Sequence, residues 1–524
     1  MVLLNYTMLS NFGFKVLKIL QLNEYNNKKT FKYFLGSYFW LALLCSGVGF
    51  ITIHLFTIGM ETNSVSVTYA YILLACYMFL MLFSSLDSGG EFPKFTKRLM
   101  RLFVTASIIL IAGFCLLTML THDYPSISYS IITLMPIVGY LLIFVLNFCL
   151  LPIEKLIKRG YIRKTKDMLK QRDDMIIIGI TGSFGKTSTK NFLDRILSEK
   201  YVVLATPKNY NTPMGVSKTV LEKMTINQEI FIVEMGAYRR GDIAELCDIV
   251  HPQIGVLTSI GAQHMESFKS QQNIYDTKTE LINSLPDSGT AFFNLDNEYC
   301  LKAFDECKVK KVGVSTDEKY LGRQDVIVAQ KIKVDETGIN FIVNLRGEKE
   351  KFTLKVLGNH NVTNVLLAIA VAVELGLSNT QIRRGVAKIR PVTHRLELKS
   401  LPTGDLLIDD AYNSNPEGFK NALNTLATFN RKKIVVTPGI IDLGDSGKMI
   451  NREMGREMGK VADHIILVKE TNKTALLGGI RESGFDEKNL VLVNSFKDAK
   501  KEYSKLLDGK SVVLLENDLP ENYM

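Results

Sequence analysis

The stretch MIIIGITGSFGKTSTKNF, Met175 to Phe192, decides how this chain is read. An apolar run that breaks into glycines and leaves through Lys-Thr has the form strand, turn, helix. That form directs backbone N–H groups and the positive end of a helix at one point. Gly182 and Gly185 let the backbone approach phosphate oxygens, with Ser183 and Ser188 completing the cradle. Lys186 supplies charge to the β- and γ-phosphates, and the Thr187 hydroxyl suits Mg²⁺. The common phosphate loop places four residues between its first glycine and Gly-Lys-Ser/Thr, but Ile180 stands at that first position here.

Outward from this loop, short β-rich runs alternate with helical patterns: MIIIGI, YVVLAT, EIFIVEM, IGVLTSI and GTAFFNL. The alternation predicts a parallel, doubly wound sheet around a P-loop, an ATPase-like α/β domain. Glu234 ends the apolar run FIVE, at the strand end where doubly wound sheets bind ligands. Residues 326–357 alternate like antiparallel strands, and a helical run begins near Asn361. A second set of runs, LLIDDAY, KIVVTPG, HIILVKE, LVLVNS and SVVLLE, starts near Leu406 and predicts a further, Rossmann-like α/β domain.

The segments GITGSFGKTSTK, NYNTPMGVSKTVL, VEMGAYRRGDIAELCDIVHPQIGVLTSIGAQHMESFKS, DTKTEL, GNHNVTNVLLAIAVA and DDAYNSNPEGFKNAL occur in the order and spacing of the Mur ligases. Over about Met175 to Leu426 the chain resembles that family, on the branch adding D-alanyl-D-alanine to UDP-N-acetylmuramoyl-tripeptide. The family's loop has the shape Gly-x-x-Gly-Lys-Thr, here Gly182 to Thr187. The resemblance implies an ATP-dependent ligase: a carboxylate takes the γ-phosphoryl group, and an amine displaces phosphate from the acyl phosphate. It implies that Lys186 and Thr187 serve the ATP phosphates and one Mg²⁺, with Glu234 as a second ligand. His264, in GAQHME, matches a ligand of another Mg²⁺. Lys278, in DTKTEL, matches a lysine whose carbamate is an anionic partner of that metal. Asn361 and Asn364 match adenine contacts, and Arg395 and Asp410 match residues that close onto the phosphates and ribose. Lys186, Lys278, His264 and Arg395 form the expected catalytic set.

Two departures bear on the substrate. Nothing between Met1 and Asp174 resembles the domain with which the family grips a UDP-sugar, and beyond Leu426 the sequence follows the family only loosely. The N-terminal part instead contains four apolar runs, Leu35 to Met60, Val67 to Leu86, Leu102 to Leu120 and Ile127 to Leu151. Each is long enough to cross a bilayer, for which about 20 residues suffice. Basic residues flank runs one and three, whereas the loops ETNSVS and THDYPS have none, which predicts four transmembrane helices with both ends in the cytoplasm. Residues 1–172 hold 17 Lys/Arg against 7 Asp/Glu, a net of +10 equal to that of the whole chain, so 173–524 is neutral. Basic charge confined to the flanks of apolar runs argues for lipid and against nucleic acid. The segment 153–172, with eight basic residues, reads either as a helix on the inner leaflet or as a solvated linker helix. None of the seven cysteines forms a CxxC pair, so no zinc site or disulfide frame is expected.

The expected organisation is therefore a membrane region at 1–152, a basic juxtamembrane segment at 153–172, a central ATP-binding domain at 173–396 and a C-terminal domain at 397–524. The expected function is a ligase of cell-envelope synthesis at the cytoplasmic membrane face, using ATP and two Mg²⁺. Its acid would be a muramoyl-peptide, lipid-linked or polymeric; its amine would be an amino acid or dipeptide; membrane lipid and envelope-synthesis proteins would be partners. The alternatives are D-alanyl-D-alanine addition to the soluble UDP-linked tripeptide, poly-γ-glutamate synthesis, and an ATP-binding scaffold without catalysis.

Overall fold

The computed structural model describes residues 17–21, 25, 30, 95–120, 135–207, 210–261, 265–336, 338–411, 415–441, 443, 446–468 and 472–517. These fall into two compact units, one reaching to Arg159 and the other Gly160–Leu519.

In the first unit, α1 (Lys97–Leu120) contains the third apolar run, and α2 (Met135–Lys170) contains most of the fourth and continues into the second unit. Runs one and two, and residues 127–134 of run four, lie outside the described residues. Among the described residues no helix is long and apolar enough to cross a membrane. The multi-pass membrane localisation expected above is corrected accordingly. Polar contacts tie the two helices together near the start of run three and the end of run four. Arg101 forks onto Glu154 at 2.8 and 2.7 Å. Asn147, buried within run four, accepts from Arg98 at 3.4 Å and donates to the Tyr25 carbonyl at 3.0 Å. The helix α2 passes from run four through Pro152 into the basic segment without a break. In the second unit, the last turns of that helix dock on the α/β fold: Leu169 is buried with Met175 and Ile177, and Lys166 pairs with Asp248 at 2.7 Å.

The second unit holds two sheets. The first has nine strands in the order β2-β3-β1-β4-β5-β6-β7-β8-β9. They are β1 (Ile176–Thr181), β2 (Val203–Ala205), β3 (Ile230–Glu234), β4 (Ile254–Leu257), β5 (Thr290–Asn294), β6 (Lys310–Ser315), β7 (Val326–Asp335), β8 (Gly338–Leu345) and β9 (Glu348–Leu354). Strands β1 to β7 pair in parallel and β7-β8-β9 antiparallel, so the sheet is mixed, as the two sequence patterns require.

Strand β1 alternates between two cores. Ile178 and Ile180 face one that includes Phe192 and the helix His360–Glu374, and Ile177 faces the other. Phe192, Leu193, Ile196 and Leu197 form one stripe of α3 (Lys186–Leu197), and their burial fixes the helix that leaves the glycine loop. Because β1 lies between β3 and β4, the strand order reverses there, and the crevice beyond the strand ends is where such sheets bind ligands. The second sheet comprises β10 (Glu397–Ser400), β11 (Leu406–Asp410), β12 (Lys432–Thr437), β13 (His464–Val468), β14 (Leu490–Val493) and β15 (Ser511–Glu516) in the order β10-β11-β15-β12-β13-β14; β10 runs antiparallel to β11, and the other pairs are parallel.

Candidate active site

The crevice is a cavity of about 420 Å³ lined from both sheets. Its floor is the glycine loop. Gly182 has φ 150°, and a Cβ there would lie 2.1 Å from Thr258 Oγ1. Gly185, the residue before α3, has φ 80°, and its Cβ would lie 2.4 Å from Asn364 Oδ1. Only glycine fits either position. The loop is pinned to the exit of β4: Ser183 N donates to Ser259 O at 2.7 Å, Ser183 Oγ to Gly261 O at 3.0 Å, and Phe184 N to Ser259 Oγ at 3.0 Å.

Lys186 curls over this loop, with Nζ donating to Gly182 O at 2.6 Å and Ser183 O at 3.0 Å. Burial lowers its pKa to about 8, against a raising influence from Glu234 and a further lowering one from Arg395. Thr187 and Ser188 line the cavity beside it. Lys278 projects from the helix Gln271–Asn283 and is 2 % exposed. Burial, then the nearby Lys186 cation, holds its amine well below the ordinary lysine value, so its neutral form is favoured.

Glu234, at the end of β3, is already engaged at both oxygens: Oε2 accepts from the buried Lys190 Nζ at 2.9 Å and Oε1 from Asn211 at 3.2 Å. Its neighbour Thr206 receives the Glu234 N–H at 3.1 Å. His264 lies outside the described residues. No group of three or more His, Cys, Asp or Glu side chains that could hold a metal occurs among the described residues. The oxygens of Thr187 and Glu234 are nonetheless hard donors of the kind Mg²⁺ takes, and the cradle that a Cβ would fill suits phosphate oxygens.

Asn361 and Asn364 line the cavity but are tied to the protein itself. Asn361 Nδ2 donates to Leu357 O at 2.7 Å, Asn364 Nδ2 to Asn361 Oδ1 at 3.1 Å, and Asn364 Oδ1 accepts from Thr189 at 3.3 Å. They thereby join the helix His360–Glu374 to α3. From the other side come Arg395 and Asp410. Asp410 accepts from Leu396 N at 3.1 Å, and burial first of all raises its carboxyl, which is also hydrogen-bonded to Glu516.

The structure adds residues that the motifs did not single out. His360 Nδ1 is buried without a hydrogen-bond partner among the described residues, and burial followed by Arg395 lowers its pKa to about 4. Asp296 accepts from Thr316 N at 3.0 Å and Thr316 Oγ1 at 2.7 Å. Lys190, Asn211 and Glu417 were also missed. Polar residues at strand ends, as in NLDNE after β5, were the available signal; for Lys190 it was the spacing of one helical turn from Lys186.

A mixed nine-stranded sheet carrying a phosphate loop shares one cavity with a second, mostly parallel sheet, the layout of a phosphate-loop α/β protein. Residues 180–372 match the Mur ligase middle domain and residues 394–516 the Mur ligase glutamate ligase domain, and the chain belongs to the Mur ligase family. The UDP-N-acetylmuramoyl-tripeptide–D-alanyl-D-alanine ligase of Bacillus subtilis is 32% identical over 281 residues, which are 53% of this chain and 59% of that protein. The chain thus spans less than two thirds of the length of this relative. A crystal structure of MurF from Acinetobacter baumannii superposes with a TM-score of 0.62 at 25% identity, covering 69% of this chain and 77% of that one. The MurF ligase of Thermotoga maritima in complex with ADP shares the fold, with a TM-score of 0.61 at 24% identity over 69% and 80%.

Proposed function

We propose that this chain is an ATP- and Mg²⁺-dependent ligase that joins a muramoyl-peptide carboxylate to the amine of an amino acid or dipeptide through an acyl phosphate. The supporting observation is the meeting of the glycine loop, Lys186 and Lys278 from the first sheet with Arg395 and Asp410 from the second in one cavity. The named relatives favour UDP-N-acetylmuramoyl-tripeptide as the acid and D-alanyl-D-alanine as the amine. Residues 173–396 would bind ATP, and 397–524 would close over it and receive the amine.

A carboxylate is a poor acyl donor because its leaving group would be oxide. Transfer of the γ-phosphoryl group to the carboxylate makes phosphate the leaving group, and the amine then forms the C–N bond as the C–O bond to phosphate breaks. Loop N–H groups, Lys186 and the planar fork of Arg395 neutralise the transferring group and align it with the carboxylate. Mg²⁺, held by Thr187 and Glu234, would supply further charge neutralisation. A neutral Lys278 amine is the form that adds CO₂, releasing a proton and leaving a carbamate. Its burial beside Lys186 therefore suits a carbamylated lysine whose new negative charge faces a cationic cluster. Glu234 would be freed for metal by loosening its contact with Lys190 or Asn211.

The test is ADP release by purified protein with ATP, Mg²⁺, UDP-N-acetylmuramoyl-tripeptide and D-alanyl-D-alanine, with lipid-linked muramoyl-peptide in a parallel arm. ADP formation that requires the acid, with amide product that requires the amine, is expected in at least one arm. ADP release indifferent to any acid would sink the assignment.

A further inference from the structure

Four carboxylates line the cavity, and three have structural engagements. Glu234 is bound by Lys190 and Asn211, Asp296 by Thr316, and Asp410 by the Leu396 N–H and Glu516. The fourth, Glu417, makes no hydrogen bond or ion pair among the described residues. It stands in the first turn of the helix Pro416–Ala427, whose first turn is fixed by Asn415 Oδ1 accepting from Gly418 N at 2.7 Å. The side chain is exposed toward the cavity, yet it reaches the phosphate-loop side. A Cβ on Gly261 would lie 3.7 Å from Glu417 Oε2 and 2.8 Å from the Phe184 ring. Gly261 is the residue whose carbonyl Ser183 holds.

The proposed reaction has an unmet requirement at this place. An α-amine has a pKa of about 8 and is mostly an ammonium at neutral pH, without the lone pair needed for attack. Apart from the three engaged carboxylates, the remaining groups around the phosphate loop are, among the described residues, cationic or poor bases. Lys186 and Arg395 repel an ammonium, and Lys278 is 2 % exposed and within electrostatic reach of Lys186. His360 is a weak base, because its conjugate acid sits near pH 4 beside Arg395. A carboxylate attracts the ammonium and takes one proton from it.

We propose that Glu417 is the general base for the incoming amine, an inference that rests on the ligase reading above. The ammonium gives one proton to the Glu417 carboxylate, and the freed lone pair forms the C–N bond at the acyl phosphate. As the C–O bond to phosphate breaks, phosphate leaves with the electron pair and takes the second amine proton, and Glu417 returns its proton to water. Partial burial raises the Glu417 carboxyl above the ordinary value, the direction a base needs.

The experiment compares two nucleophiles on the same acyl phosphate, using full-length protein, UDP-N-acetylmuramoyl-tripeptide and ATP. D-Alanyl-D-alanine arrives protonated, whereas hydroxylamine is neutral at neutral pH and needs no base. Glu417→Gln should lower kcat for amide formation about 10²–10⁴-fold, the usual worth of a positioned base. Its hydroxamate yield should stay within twofold of wild type, and the amide deficit should narrow as pH rises through about 8, where the free amine becomes abundant. Glu417→Asp, which keeps a carboxylate, should recover part of the rate. The inference is overturned if Glu417→Gln makes amide within threefold of wild type, if amide and hydroxamate fall together, or if only the KM for D-alanyl-D-alanine rises. Wild-type protein that yields neither product would instead overturn the ligase reading on which it stands.

Discussion

The wall of the cavity contributed by the first sheet holds its groups by backbone geometry, whereas the wall from the second sheet holds them by a strained strap. On the first side, Gly182 and Gly185 sit where no side chain fits, the Ser183 amide is locked to Ser259, and Lys278 and Glu234 are each 2 % exposed. On the second side, Arg395 is carried between His394 at φ 60° and Leu396 at φ 46°, two left-handed conformations in residues that have a Cβ. Each costs about 1–2 kcal/mol. The strap is fastened by Asp409, which accepts from His394 at 2.9 Å and Lys399 at 2.6 Å. A rigid wall should express damage as lost rate, because its groups act only when charge develops. An adjustable wall should express damage as weaker nucleotide binding and altered stability.

The sharpest way to break this contrast is Lys186→Ala. Removal of a preorganised charge at the transferring phosphoryl group should lower kcat by about 10²–10³-fold. The fold should hold, since the side chain bonds only to its own loop carbonyls in the described structure. Initial rates and a thermal melt check both halves; a large drop in melting temperature would show that Lys186 is part of the scaffold instead.

Next in size is Lys278→Ala, expected to lose about a hundredfold in rate and to regain part of it with added short-chain carboxylates, which restore an anion at the carbamate position. Lys278→Arg should show no rescue, because it stays cationic. Full activity of the alanine variant without additive would remove Lys278 from the rigid wall.

The same contrast governs what the sequence reveals. The loop, the Glu234 strand end and the order β-α-β are local features, because glycine spacing and apolar period report on backbone geometry directly. The mixed sheet was legible for the same reason: residues 326–354 alternate at period two and β1 to β6 do not. What escaped was long-range. That Lys190 meets Glu234, that Asn211 shares it, and that Glu417 faces Gly261 depend on pairings across 44, 23 and 156 positions, which no local pattern encodes. Asn361 and Asn364 were found by motif, but their mutual hydrogen bond and their grip on Thr189 were not. The N-terminal expectation went astray in the opposite way. Hydropathy counts side chains one by one, so it registered run four as an uninterrupted span although Asn147 is bonded within it and α2 continues past Pro152.

A smaller effect is expected on the adjustable wall. Arg395→Lys keeps the positive charge but replaces a planar fork with a point charge, so bidentate contact with a phosphate is lost. The KM for ATP should rise about tenfold, roughly 1.4 kcal/mol, with kcat changed less. Equal losses in kcat and kcat/KM would instead place Arg395 among the groups that act only in the transition state, and the two walls would no longer differ in kind.

The smallest effect concerns the fastening itself. Burial alone would raise the Asp409 carboxyl, but hydrogen bonds from Lys399 and His394 outweigh it and leave the group below its ordinary value. A carboxyl depressed in the folded state stabilises the fold above the unfolded value, near 3.9, and that contribution disappears as pH falls through the lower folded value. Both partners are partly in solvent, with side chains 50 % and 39 % exposed, so the clasp is worth about 1 kcal/mol or less. Asp409→Asn should therefore melt slightly below wild type at pH 7, by the same margin down to about pH 5, and the gap should close as pH falls below about 4. Because the clasp also holds the strap that carries Arg395, the variant should show a raised KM for ATP at pH 7 that acidification of the wild type reproduces. A gap that widened in acid would mean that Asp409 is destabilising when ionised, and the strap would then be held by its backbone alone.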